Sequence, residues 1–284
     1  MIDALNVGTL LAAAGIDRRE ARLLLARATG IADAILVAFP ERTIGDEFAA
    51  RFRESAGRRQ RGEPIAYILG EREFYGRVFH VTPAVLIPRP ETELLVDLVL
   101  ESARQFQAAR LLDLGTGSGA IAVTLACELA DARVTAVDNS AQALGVARGN
   151  AARLAAGRVA CLESNWFAAL GDRQFDVIVA NPPYIARADP HLARGDLRFE
   201  PASALVGGSA GLECIALIVA TAALYLAPGG ALLLEHGYDQ ASSVRDLLAD
   251  AGYAGIVTHR DLAGCDRVSL GHRAGPAWVP PPRN

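Results

Sequence analysis

The chain has 284 residues, 51% of them hydrophobic, enough to bury one large core and a smaller one. Its formal net charge of -4 argues against non-specific nucleic-acid binding as its main task, and every residue among the 28 Lys and Arg is an arginine. Cys127, Cys161, Cys214 and Cys265 are widely spaced, and the five histidines show no ligand spacing, which excludes a disulfide framework and makes a metal site unexpected.

The N-terminal stretch VGTLLAAAGI lacks a cationic start and runs into DRREAR, so it reads as a helix of a folded domain and not as a signal peptide. Ala21, Leu24, Leu25 and Ala28 recur at helical spacing. Asp17 with Glu20 three residues on forms a capping-box pattern, and Gly30 marks a stop. A second amphipathic run covers Asp46 to Arg61, with Phe48 and Phe52 one turn apart. From Ile65 the texture changes: YILGEREFYGRVFHVTP is rich in β-branched and aromatic residues around Gly70 and Gly76 and reads as a hairpin. These shifts predict a helical domain over 1–64, a hairpin and linker over 65–90, a main domain over 91–273 and a tail over 274–284.

Beyond Arg110 the chain alternates. LLDLG, RVTAVD, RVACLE, FDVIVA and ALLLEHG read as strands with helices between them, and GIVTHRDLAGCDRVSLGH adds a terminal pair of strands. The alternation predicts an α/β fold: a doubly wound, mostly parallel, seven-stranded sheet with one antiparallel strand at the end. The longest apolar run, CIALIVATAALYLA, is read as a helix ending at Pro-Gly-Gly; it is too short to span a bilayer, which predicts a cytoplasmic protein with no membrane partner.

Two motifs carry chemistry. Gly115-Thr116-Gly117-Ser118-Gly119 follows the first strand of the sheet and opens a helix, where glycines allow a tight turn and exposed N–H groups meet a polar ligand. Asp138 ends the next strand, about twenty residues on, where a carboxylate accepts both ribose hydroxyls. That pair fits a dinucleotide or a sulfonium nucleoside. Trp166, after the third strand, offers a flat surface to an adenine or to the sheet edge.

The second motif is Asn181-Pro182-Pro183-Tyr184, which ends FDVIVA beside the first strand, at the point where ligands bind in such sheets. Prolines fix the backbone and leave carbonyls without N–H partners. The Asn181 oxygen and a proline carbonyl can then accept from one planar NH2 group, and Tyr184 can stack on it. Amide and arylamine nitrogens are poor nucleophiles because the lone pair is delocalised; two placed acceptors favour a pyramidal nitrogen aimed at an electrophile, here a sulfonium methyl. A plain turn is the alternative for these four residues.

These motifs, with FYGRVFHVTPAVLIPRPETELLV, DPHLARGDLRFEPASALVGG and GGALLLEHG, resemble class I S-adenosylmethionine-dependent methyltransferases, and within them the release factor glutamine methyltransferase (PrmC/HemK) family over nearly the whole chain. The resemblance implies S-adenosyl-L-methionine as cofactor, wrapped by Gly115, Thr116, Gly117, Ser118 and Gly119, with Asp138 on the ribose, Trp166 near the adenine and Asn181 by the methyl donor. It implies that Asn181, Pro182, Pro183 and Tyr184 hold the glutamine of the Gly-Gly-Gln loop of peptide-chain release factors, that Phe74 walls the glutamine pocket, and that the helical N-terminal domain grips the release factor. A monomer without direct nucleic-acid contact is expected. Where the family often has an acidic residue before the third-strand aromatic, this chain has Asn165.

Two other substrates are weighed. A glutamine of a ribosomal protein would use the same chemistry, and the P-R-P-E-T-E loop favours the release factor over it. A DNA adenine methyltransferase would need a basic face, for which Arg51, Arg53, Arg58, Arg59 and Arg61 are the only cluster. A scaffold that only binds the cofactor would have no use for the Asn181 acceptors.

Overall fold

The computed structural model describes residues 5–274, and the chain divides into two compact units between Glu71 and Arg72. The first unit is helical: α1 (Val7–Ala12), α2 (Arg18–Thr29), α3 (Asp33–Ala38), α4 (Asp46–Gln60) and α5 (Ile65–Leu69). Asp17 caps α2 by accepting from the backbone N–H of Arg19 at 2.8 Å and of Glu20 at 3.2 Å, and Gly30 ends it in the left-handed conformation. Leu10, Leu24, Leu25, Leu36 and Phe52 form its core, whereas Phe48, one turn from Phe52, stays exposed. Tyr67 to Leu69, read from sequence as the start of a hairpin, are helical in α5. Pro64 fixes the entry to this helix, and Gly70 at φ 75° caps its exit.

The hairpin proper is β1 (Glu71–Phe74) and β2 (Arg77–His80), joined through Tyr75 and Gly76, both at positive φ. The rest of the second unit runs α6 (Thr92–Ala103), β3 (Arg110–Leu114), α7 (Ala120–Glu128), β4 (Arg133–Asp138), α8 (Ala141–Leu154), β5 (Val159–Glu163) and β6 (Phe175–Ala180). It continues with α9 (Ala202–Leu205), α10 (Glu213–Tyr225), β7 (Leu226–Glu235), α11 (Ala241–Asp250), β8 (Tyr253–Arg260) and β9 (Asp266–Arg273). Seven strands form one sheet in the order β5-β4-β3-β6-β7-β9-β8, and β9 runs opposite to the other six.

Residues of one strand alternate between two cores, as the pleat requires. Leu111, Val177, Val179 and Leu233 face α6 and α7, while Leu112, Leu114, Ile178 and Leu232 face α10 and α11. All six residues of β6 are buried because it lies between β3 and β7 with helices on both faces. One boundary differs from the sequence reading. β7 begins at Leu226 and carries Pro228, Gly229 and Gly230 within it, across a shift of register against β6. The bulge absorbs the proline and glycines that read as a turn. The strand order sets the site: Leu114 pairs with Ala180, so the chain leaves β3 and β6 side by side, at residues 115 and 181.

Candidate active site

The glycine loop is pinned to β4. The N–H groups of Gly115 and Thr116 both donate to the Val137 carbonyl at 2.9 Å, and the positive φ of Gly115, Gly117 and Gly119 lets the loop fold back on itself. Asp113, 1% exposed, accepts from Thr116 Oγ1 at 2.6 Å and from the Ala122 N–H at 3.2 Å. Burial pushes its carboxyl up to about 7, and its Oδ1 has no partner. Asp138 accepts from the N–H of Gly117 through Oδ2 and from the N–H of Ser140 through Oδ1, each at 2.9 Å. Each oxygen keeps a lone pair for a hydroxyl.

Trp166 closes this wall. Its φ of 50° is left-handed, a costly conformation for an aromatic residue, and Ser164 fixes it by donating from Oγ to the Trp166 carbonyl at 2.8 Å. The ring lies over Gly115, where an added Cβ would meet it at 3.5 Å.

The opposite wall is the corner after β6. Asn181 donates from Nδ2 to Thr92 Oγ1 at 3.1 Å. Pro182 is buried, Pro183 borders the cleft, and Tyr184 packs its ring on the sheet and turns its hydroxyl to Glu235 Oε1 at 3.5 Å. Glycines buttress this corner from behind. A Cβ on Gly207 would stand 2.3 Å from the Pro183 carbonyl oxygen, and one on Gly211 would stand 2.4 Å from that of Tyr184. Gln240 donates to the Tyr184 carbonyl at 3.0 Å. Buried Glu200 clamps the P-R-P-E-T-E loop, accepting from the Ile87 N–H at 3.2 Å and pairing with Arg89.

Between the walls lies a cleft of about 250 Å3. Gly115, Thr116, Gly117, Ser118, Asp138, Asn165, Trp166, Asn181, Pro183 and Phe74 all border it. Three expected site residues do not: Gly119, Pro182 and Tyr184. Gly119 instead packs α7 on α8, where a Cβ would lie 3.3 Å from Ala147. Phe74 is 1% exposed and meets Phe79 edge-on at 6.0 Å, so it belongs to the core as well as to the cleft.

The lining suits a nucleoside that carries an amino acid. Asp138 offers a carboxylate with spare lone pairs, Trp166 a flat ring, and the far side of Gly117 is open, with no atom within 4 Å of where a Cβ would stand. Among the described residues no cluster of His, Cys, Asp and Glu could hold a metal ion, and no helix is long and apolar enough to cross a membrane.

Comparison with known proteins narrows the chemistry. Residues 90–202 match the methyltransferase small domain, and residues 4–70 match the PrmC N-terminal domain. The chain is 51% identical to the release factor glutamine methyltransferase of Burkholderia pseudomallei, over 94% of this chain and 95% of that one. It is also 51% identical to that of Bordetella pertussis, over 93% and 97%. The chain belongs to the release factor glutamine methyltransferase family. A methyltransferase structure from Pyrococcus furiosus, 21% identical, shares the fold with a TM-score of 0.53 over 78% of this chain and 98% of that one.

Three polar residues of this glutamine methyltransferase family member escaped the sequence reading: Thr92, Glu200 and Glu235. Glu235 ends β7 and is 1% exposed. Burial pushes its carboxyl up to about 7, against the opposing pull of Thr92, Arg267 and Asn181. A carboxylate closing the apolar run ALLL was the available signal for it.

The arginine cluster is largely neutralised. Arg58 and Arg59 donate at 2.8 Å to Glu63 and Glu20 respectively, and Arg51 pairs with Glu47, which leaves little of the basic face a DNA enzyme needs.

Proposed function

We propose that this protein methylates the side-chain amide nitrogen of the glutamine in the Gly-Gly-Gln motif of peptide-chain release factors, with S-adenosyl-L-methionine as methyl donor. The observation that carries the reading is the Asn181 carboxamide. Its NH2 end is engaged by Thr92, which leaves Oδ1 as the end that can accept from a substrate amide in the cleft.

In this reading Asp138 holds the ribose hydroxyls, the N–H groups of the glycine loop hold the amino-acid end, and Trp166 covers the base. When bound, the donor supplies an electrophilic methyl group on a sulfonium. The chain supplies orientation. Asn181 Oδ1 and a neighbouring proline carbonyl accept the two amide protons, so the nitrogen lone pair leaves the amide plane and is presented to the electrophile. No base has to act first; the surplus proton leaves the product nitrogen afterwards. Tyr184 and Phe74 support the pocket from the core. The helical unit is the docking domain for the release factor, and the enzyme works as a monomer in the cytoplasm.

The test is transfer of labelled methyl groups to a purified release factor beside a copy whose loop Gln is changed to Ala. Ribosomal protein and unmethylated DNA serve as parallel acceptors. Label on the intact factor, lost in the altered copy, is expected. Label on ribosomal protein alone would move the partner and keep the chemistry, and label on DNA alone would overturn the protein substrate.

A further inference from the structure

Asn181 has two ends of nearly equal shape, one that accepts and one that donates. If the carboxamide turned over, its NH2 would face the NH2 of the acceptor, and donor would oppose donor. Something has to choose the end. The direct contact is Thr92, whose Oγ1 accepts from Asn181 Nδ2 at 3.1 Å, and Thr92 is 5% exposed. A hydroxyl has one proton, so Thr92 can hold Asn181 in this orientation only while its own proton is given elsewhere. The neighbouring acceptor is Glu235, buried, with Oε2 unpartnered; the Thr92 and Asn181 side chains both lie beside its carboxyl and favour its charged form.

We propose that Glu235 is a positioning residue for methyl transfer: as a carboxylate it accepts a hydrogen bond from the Thr92 hydroxyl, which leaves the Thr92 oxygen to accept from Asn181 Nδ2 and turns Asn181 Oδ1 toward the substrate amide. Glu235 also faces the Tyr184 hydroxyl, so one buried carboxylate braces both polar ends of N-P-P-Y. Once protonated, Glu235 donates, Thr92 no longer has to accept, and the Asn181 carboxamide loses its bias. Because burial raises this carboxyl to about 7, the switch falls near neutral pH. The charged or titratable groups around it are Arg267, which favours the carboxylate, and Glu91, which opposes it; the phenol of Tyr184 is pushed well above its usual range and stays neutral.

The inference rests on the proposed acceptor role of Asn181, and two measurements separate the claims. The first follows the side-chain amide resonance of Asn181 in the protein without cofactor. In the wild type it should titrate near neutral pH; in Glu235→Gln it should not move with pH, and in Thr92→Val the two amide protons should lose their separation. The second is kcat against pH. Wild-type turnover should fall on an acid limb below about pH 7, while Glu235→Gln should lack that limb and run about tenfold or more slower at pH 8. Thr92→Ser should keep most of the wild-type rate, whereas Thr92→Val should match Glu235→Gln. The double variant should be no slower than either single one, because both interrupt one chain of contacts. KM for the cofactor should stay unchanged throughout.

Losses that multiply in the double variant would overturn the relay, as would an acid limb that survives in Glu235→Gln. A surviving limb would belong to Asp113, which titrates in the same range on the opposite wall. If the wild type methylated no release factor but the Asn181 resonance behaved as described, the relay would stand and the substrate reading would fall.

Discussion

Two carboxyls on facing walls of the cleft, Asp138 and Glu235, are held in opposite ways. On the glycine-loop wall, Asp138 is half-buried and accepts backbone N–H bonds on both oxygens. On the N-P-P-Y wall, Glu235 is sealed from water, has one unpartnered oxygen and holds its proton to about pH 7. A binding wall needs a fixed charge. A wall that orients an uncharged amide needs a buried group whose state decides how its neighbours are wired. The difference separates affinity from turnover, and substitutions on each side should separate them too.

The largest effect is expected on the orienting wall. Asn181→Ala removes an acceptor that the amide needs as it pyramidalises, so turnover should fall about 10²–10³-fold, the cost of one such electrostatic group. Calorimetry should find cofactor affinity nearly unchanged; a variant with wild-type turnover would sink the assignment. Gly207→Ala tests the same wall from behind. Its new Cβ would have to displace the Pro183 carbonyl oxygen, 2.3 Å away, and a misplacement of this kind costs about 10²-fold in kcat. If turnover held while stability alone dropped, the glycines would be fold elements only.

The third substitution exposes the stability cost of the orienting wall. Glu235 has an ordinary carboxyl value of 4.5 and a folded value of about 7. Between those values the folded protein keeps a proton that the unfolded chain has released, so stability falls as pH rises through the window. Glu235→Gln should therefore melt higher than wild type at pH 8, by up to about 3 kcal/mol, and gain nothing at pH 4. Thermal unfolding at both pH values measures this, and a gain of the same size at both would contradict it. The smallest effect is expected on the binding wall. Asp138→Ala should weaken the cofactor by about 1.5–3 kcal/mol, the worth of a charged hydrogen bond, and leave kcat at saturation nearly intact.

The strands of the sheet were legible because short apolar runs recur from Arg110 onward with helical segments between them. Tyr67 to Leu69 misled because β-branched and aromatic residues favour strands, while the left-handed cap at Gly70 favours a helix end. Pro228-Gly229-Gly230 misled because a bulge and a turn use the same residues. In the candidate site, the glycines, Asp138 and Asn181 stand at strand ends where spacing alone marks them. Thr92 and Glu235 gain their meaning only from each other, 143 positions apart in a chain read one residue at a time, and no local pattern joins them. Gly119 and Tyr184 carried motif positions but face helix packing and the sheet.

β6, flanked by β3 and β7 and buried at all six residues, also bears on how the enzyme breathes. Backbone amides in such a strand exchange with solvent only when the whole unit unfolds, whereas those of the chain from Arg187 to Arg198, largely at the surface, are free to open locally. In the proposed reaction Asn181, which directly follows β6, is therefore held at the slowest-opening part of the molecule, and the surface segment after it is the part that can open around a protein loop. Evolution can retune that segment for a new partner without disturbing the aim.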